Sequence, residues 1–482
     1  MANDASHPAN TPDSTPICVD LDGTLIRSDL LIESSLALLR RNPLYAFRMG
    51  AWLLRGKAVL KREIAARVEI DATLLPYEPR VVAWLQSESA DRPRVLCTAS
   101  DRKFADSVAA HIGGFGTVLA SDGERNLAGA NKAQTLLDRY GERGFDYAGN
   151  ATADLAVWRH ARRAIVVNAA PSLSQRAAQL TQVEQVFAHE SGRARACLKA
   201  LRPHQWLKNL LVLLPLLASH RLFDTTAIVG SIIAFFCFGL CASGVYVLND
   251  LLDLEADRKH PRKRLRPFAA GALPLITGLV AAPLLTLAAF ALAMAFAPRF
   301  ALVLLGYYVL TLAYSFGLKR IAMLDTVVLA ALYTVRIVAG TVAINAILSF
   351  WLLAFSMFLF LSLALVKRYT ELRTLLLHGR NRSDGRGYEV DDLGLIQSLG
   401  AASGYLAVLV LALYINSTAS EALYRHAHVL WLLCPTLLYW VSRVWFKAHR
   451  GLMHDDPVVF ALTDRVSRIV LLLCAIVVIG AI

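Results

Sequence analysis

Residues 244–271 read "GVYVLNDLLDLEADRKHPRKRLRPFAAG", with a long apolar run before them and another after. Four carboxylates, Asp250, Asp253, Glu255 and Asp257, are followed at once by Arg258, Lys259, Arg262, Lys263, Arg264 and Arg266. At about 100° per residue, Asn249, Asp250, Asp253 and Asp257 fall within one helical arc of about 100°, and Glu255 points elsewhere. Carboxylates crowded on one face repel unless a cation sits among them. The bland alternative is a solvated helix end with ordinary ion pairs. An all-oxygen ligand set at the end of an apolar span instead suits Mg²⁺, which keeps waters and bridges to substrate phosphates. The basic run admits two uses that are compatible: anchoring on anionic headgroups, and holding phosphate beside the metal through Lys263, Arg264 and Arg266.

The chain around this stretch is 482 residues long, 56% hydrophobic and 18% charged, which is too apolar for an ordinary soluble protein. Residues 1–208 mix charged and apolar positions. From Leu210 onward the sequence is mostly apolar runs of about 17–25 residues, the length that crosses a hydrocarbon core of about 30 Å. The expected organisation is a polar tail (1–13), a soluble domain (14–190), a basic linker (191–206) and a membrane domain (207–482). The tail has neither a basic start nor an apolar core, so it does not read as a secretory signal. Seven scattered cysteines form no CxxC pair, which speaks against zinc or disulfides. The net charge of +13 is accounted for by membrane topology rather than by nucleic acid.

Nine spans are expected, at 207–219, 228–248, 273–297, 300–317, 321–345, 348–366, 398–416, 427–446 and 466–482. Loops on one side carry eighteen Lys and Arg, those on the other only Arg221, Arg299 and Arg425. The positive-inside rule then places the soluble domain in the cytoplasm and the C-terminus outside, in an integral protein of a bacterial inner membrane. Asp325 and Arg336, eleven residues apart, are nearly in phase on one helix. An arginine near mid-span costs about 2.5–3.5 kcal/mol, so Arg336 is either paired structurally or lines a cavity.

Three stretches, "LRPHQWLKNLLVLLPL" (201–216), "NDLLDLEADRKHPRKRLRPFAAGALP" (249–274) and "AYSFGLKRIAMLD" (313–325), together resemble the UbiA superfamily of intramembrane prenyltransferases over residues 199–482. That resemblance implies Mg²⁺ and a diphosphate held by two Asp-rich motifs. Where a second acidic cluster belongs, this chain reads "LVKRYTELR" (365–373). Lys367, Arg368 and Glu371 share one arc, two cations and one acid, a face suited to phosphate rather than a second metal. With "RPHQWLKN" and "YSFGLK", this is similar to the polyprenyl-phosphate phosphoribosyltransferase branch. The implied donor is phosphoribosyl diphosphate and the implied acceptor a polyprenyl phosphate lipid. Lys208, Tyr314, Lys319 and Asp325 are substrate-binding candidates by the same resemblance. Two other classes compete. One is conventional prenyl transfer from a prenyl diphosphate to an aromatic acceptor. The other is a transporter or lipid-binding membrane protein.

In the soluble part, "PICVDLDGTL" (16–25), "RVLCTAS" (94–100), "GANKAQTL" (129–136) and "DYAGNATADL" (146–155) alternate strands with helices, as in a parallel α/β sheet. Their order is similar to the haloacid dehalogenase (HAD) superfamily, a Rossmann-like fold, with a helical cap over about 30–90. The resemblance implies Asp20 as the phosphoryl-accepting nucleophile and Asp22 as acid/base. Thr98 and Lys132 would hold the phosphoryl group, and Asn150 and Asp154, with Asp20 and Asp22, would place Mg²⁺. Asn150 stands where that family usually has Asp, so a phosphatase and a non-catalytic scaffold are both open.

Overall fold

The computed structural model describes residues 14–89, 91–188, 192–379, 381, 386–453 and 457–482. The polar tail at 1–13 lies outside the described residues. The chain divides into two compact units, Met1–Leu201 with Tyr246–Ala282, and Arg202–Val245 with Pro283–Ile482.

The first unit is built on six parallel strands: β1 (Ile17–Val19), β2 (Arg94–Asp101), β3 (Thr117–Ser121), β4 (Asp146–Gly149), β5 (Arg163–Val167) and β6 (Gln182–Phe187). Their spatial order is β3-β2-β1-β4-β5-β6. Successive side chains point to opposite faces, so Ile17, Val19, Leu96 and Ile165 enter one core while Cys18, Val95, Cys97 and Val166 enter the other. Both faces are covered, which explains the nearly unbroken apolar strands. The chain runs outward from β1 to β3, returns to β4 beside β1, and continues outward to β6. A cleft is expected where the order reverses, at the carboxyl ends of β1 and β4.

Between β1 and β2 lie helices Leu30–Arg41, Tyr45–Leu54 and Lys57–Ala65, and then Pro79–Ser87. Leu38, Trp52, Leu60, Ile64 and Val68 form a small core of their own, the heart of the expected cap. Val81 and Leu85 of Pro79–Ser87 instead join the sheet core. The stretch Tyr246–Ala282, expected with the membrane domain, packs in this unit. Val247, Leu251, Leu254, Phe268, Leu273 and Leu275 bury against Leu36 and Ala200.

Among the described residues, seven helices are long and apolar enough to cross a membrane: Thr225–Leu252, Leu275–Phe296, Pro298–Phe316, Leu324–Ala343, Phe350–Leu377, Val390–Ile415 and Ala427–His449. Leu284, Leu287 and Leu302 on these helices are exposed, as lipid-facing positions must be. The chain is an integral membrane protein. Two of the nine expected spans are not among these seven helices. Residues 207–219 form a 3-10 segment, Pro203–Leu213, and a five-residue helix, Leu214–Ala218, with Pro215 in its first turn. The final segment is a helix of 17 residues, Arg465–Ala481, about 25 Å long at 1.5 Å per residue and at the short end of the spanning range. All seven cysteines are free thiols.

Candidate functional sites

In the first unit, Asp20 follows directly on β1. Its Oδ1 accepts from Lys132 Nζ at 2.8 Å and from the Leu21 amide at 2.9 Å. Lys132 Nζ also donates to the Tyr147 hydroxyl at 2.8 Å, and that hydroxyl donates to Asp154 Oδ1 at 2.9 Å. Asp154 Oδ2 accepts from the backbone amides of Asn150 and Ala151, each at 2.9 Å. Asp22 accepts from Leu30 N at 2.8 Å and from Ser100 Oγ at 2.6 Å. Thr98 is fully buried, and its hydroxyl accepts from the Ser100 amide at 3.0 Å. The sequence motifs around Asp20, Asp22, Thr98, Lys132, Asn150 and Asp154 therefore meet at the reversal of strand order. Gly23, at φ +75°, lets this turn close, because a Cβ there would lie 2.0 Å from the Asn150 amide nitrogen.

Burial pushes the Asp20 carboxyl up to about 6, against the pull of Lys132. Burial, then repulsion from Asp29, pushes Asp22 up to about 7. Burial alone would lower Lys132, but the Asp20 and Asp154 carboxylates outweigh it and the ammonium is held more firmly than usual. Sequence reading missed three participants. Ser100 and Tyr147 sit in strands and look like packing residues. Lys61, from the cap helix Lys57–Ala65, donates to the Ala99 carbonyl at 2.5 Å and to Asn126 Oδ1 at 2.7 Å. No spacing ties it to the motifs.

The carboxylate stretch of the same unit departs from one continuous helix. The helix Thr225–Leu252 ends, Asp253 (φ −100°, ψ 16°) is the break, and a short helix Leu254–Lys259 follows. Asp253 turns to Arg40, 3.2 Å away. Asp250 and Asp257, both nearly buried, share one donor: Arg266 Nη1 reaches Asp250 Oδ1 at 3.1 Å and Asp257 Oδ2 at 2.6 Å. Asn249 is half-buried on the last turn of the long helix, and Lys263 and Arg264 are exposed on a 3-10 turn. Burial raises Asp257 despite Arg266. Among the described residues, no group of three His, Cys, Asp or Glu side chains is arranged to hold a metal. The pair does fit a hard divalent cation, because two carboxylate oxygens already converge on one positively charged nitrogen. The three-carboxylate arc is thus corrected to a convergent pair with Asp253 diverted.

In the second unit, Arg368 on Phe350–Leu377 is buried and donates to Asp325 Oδ2 at 2.6 Å, to Glu371 and to the Tyr314 hydroxyl at 3.1 Å. Glu371 also binds Arg386, and Asp325 also binds the Tyr388 hydroxyl. Two cations balance two anions here, so the expected phosphate-seeking face at Lys367, Arg368 and Glu371 is corrected for Arg368. Its counter-ion comes from 43 residues earlier, which helical spacing cannot reveal. Lys367 and Lys319 are half-buried. Asp325 and Arg336 do share the helix Leu324–Ala343 nearly in phase, but each is held by different partners. Arg336 bonds Asn209, Tyr307 and the Leu332 carbonyl, and Lys208 stands 5.6 Å from the Tyr333 ring.

A family model described as "UbiA prenyltransferase family" matches residues 210–382. An uncharacterized protein of Sinorhizobium fredii, y4nM, is 36% identical over 456 residues, 94% of this chain and 88% of its own length. Nodulation protein NoeC of Azorhizobium caulinodans is 37% identical over 274 residues, 57% of this chain and 89% of that protein. Decaprenyl-phosphate phosphoribosyltransferase of Mycobacterium tuberculosis is 42% identical over 178 residues, 36% of this chain and 59% of that enzyme.

Proposed function

Because the chain belongs to the UbiA prenyltransferase family, we propose that its membrane part moves phosphoribose from phosphoribosyl diphosphate to a polyprenyl phosphate. The observation that carries this reading is the 42% identity to a decaprenyl-phosphate phosphoribosyltransferase. The neutral Asp325–Arg368–Glu371–Arg386 network, standing where a second acidic cluster would be needed, supports it.

Asp250 and Asp257 would hold Mg²⁺ in this reading, with Asn249 beside them and Asp253 joining on release from Arg40. The metal would draw charge from the departing diphosphate. Arg266, displaced from the two carboxylates, then joins Lys263 and Arg264 in orienting phosphate oxygens. In the second unit, taken by itself, Lys208, Tyr314, Lys319 and Lys367 are proposed to contact substrate. The lipid phosphate is already an anion when it attacks ribose C1, so no residue has to remove a proton from it. Donor binding to the full chain tests this. Asp250→Asn should weaken Mg²⁺-dependent binding of phosphoribosyl diphosphate at least tenfold. Unchanged, metal-independent binding would remove the assignment.

The transferred group carries a 5-phosphate, and the first unit is proposed to remove it as a HAD-type phosphatase. Asp20 attacks phosphorus to form an aspartyl phosphate. Asp22 donates a proton to the leaving oxygen and later takes one from water. Thr98 and Lys132 hold the phosphoryl oxygens. Asp20, Asp22 and Asn150 would hold Mg²⁺, while Asp154 fixes the Asn150 turn and Tyr147. A scaffold lacking activity would instead release no phosphate from any sugar phosphate offered.

A further inference from the structure

Arg336 lies on Leu324–Ala343, twelve residues beyond Leu324 and so about 18 Å along that helix. Its guanidinium donates to Asn209 Oδ1 at 3.0 Å, to the Tyr307 hydroxyl at 3.0 Å, and to the Leu332 carbonyl. All three acceptors are neutral. Among the described residues no carboxylate lies within 4.0 Å of it, since Asp325 is taken by Arg368 and Tyr388. The rings of Tyr307, Tyr333 and Phe238 stand 4.9, 5.8 and 5.9 Å away and offset part of the charge. A second cation, Lys208 Nζ, lies 5.6 Å from the same Tyr333 ring.

Asn209 supplies an independent sign. It is 1% exposed, its oxygen is committed to Arg336, and its amide nitrogen Nδ2 has no hydrogen-bond partner. A buried donor left unpaired is costly, and so is a buried cation without a counter-ion. Both defects have the same remedy. The sequence builds this proximity on purpose: a Cβ at Gly340, one turn from Arg336, would meet the Val212 carbonyl at 2.0 Å. Only glycine there lets the 3-10 segment Pro203–Leu213 press its backbone against the helix and deliver Asn209.

We propose that Arg336, Asn209 Nδ2 and Lys208 form a buried anion site that takes a phosphate group of a substrate into the helix bundle. The proposal deepens the transferase reading and rests on its substrates carrying phosphate. Three of the five guanidinium N–H groups are used by the protein, which leaves two for phosphate oxygens. The phosphate comes either from the sugar donor or from the lipid acceptor.

Asn209→Asp separates this from a purely structural arginine, because it gives Arg336 an internal counter-ion in place of the ligand. Binding of phosphoribosyl diphosphate, farnesyl phosphate and geranyl diphosphate is measured with Mg²⁺ on the full chain in lipid nanodiscs, alongside the thermal midpoint. The variant should hold or raise the midpoint while losing at least tenfold in affinity for one of these ligands. The ligand affected identifies the source of the phosphate. Wild-type affinity for all three in the variant overturns the proposal. A wild type that binds only geranyl diphosphate sinks the phosphoribosyl reading, yet a tenfold loss of that ligand in Asn209→Asp still sustains the anion site. If Asn209→Asp does not fold, Arg336→Gln removes the charge with a bonding side chain kept, and the same tenfold criterion decides.

Discussion

Asp22 carries a proton near neutrality that an ordinary aspartate would have lost. Burial and the Asp29 charge push it up to about 7, against the bonds from Ser100 and Leu30. Between about pH 4 and 7 the folded carboxyl holds this proton while the unfolded one does not. The folded state then binds more protons, so stability falls as pH rises through that window. Without divalent metal, amides of β1 and β4 should exchange more slowly in wild type relative to Asp22→Asn at pH 5 than at pH 8. A wild-type to variant ratio that is flat with pH would contradict the raised carboxyl. At this scale the soluble site was largely legible: Asp20, Asp22, Thr98, Lys132, Asn150 and Asp154 stood in motifs. Lys61 and Tyr147 were not, because a lysine in an amphipathic helix and a tyrosine in an apolar strand look like solvation and packing. Asn209 and Tyr307 were hidden for the same reason.

The helix Leu30–Arg41 joins two pieces of chemistry within its unit. Its first amide holds Asp22. Glu33, Leu36 and Arg40, spaced i, i+3 and i+7, lie on one face. Glu33 grips Arg258 with two bonds, 2.8 and 2.6 Å, Leu36 enters the core with Leu251 and Leu254, and Arg40 reaches Asp253. Arg258 also donates to the Ala269 carbonyl at 3.0 Å, so it pins the turn that presents Arg266. Breaking a buried pair from one side costs about 3–5 kcal/mol, whereas replacing both partners with apolar residues is often near neutral. Glu33→Met and Arg258→Met should each lower the thermal midpoint of the full chain and weaken Mg²⁺ binding. The double variant should recover most of the midpoint, and additive losses would show the pair to be uncoupled. The apolar spacing of this helix was readable. Its partner, 225 residues away, was not, since period and phase describe a helix face but not what it meets. The same limit hid the Arg368 partner of Asp325, and it made one helix of a stretch that breaks at Asp253.

At the scale of the molecule, a parallel α/β sheet and a helical membrane region share one chain, and both were evident from hydropathy and strand–helix alternation. The sequence placed the membrane boundary at 207, but Tyr246–Ala282 packs with the sheet's unit because its apolar side chains bury there. The proposed activities use separate residues, so Asp20→Asn should abolish release of phosphate and leave group transfer within about twofold of wild type. Loss of both activities in that variant would tie the two sites together. The most direct measurement gives the purified full chain Mg²⁺, a polyprenyl phosphate and phosphoribosyl diphosphate labelled in the ribose. In parallel it is given a labelled prenyl diphosphate with an aromatic acceptor. The account predicts ribose label in the lipid fraction, lost at least a hundredfold in Asp250→Ala, and no prenylated acceptor. Prenylated acceptor with an unlabelled lipid fraction would contradict it.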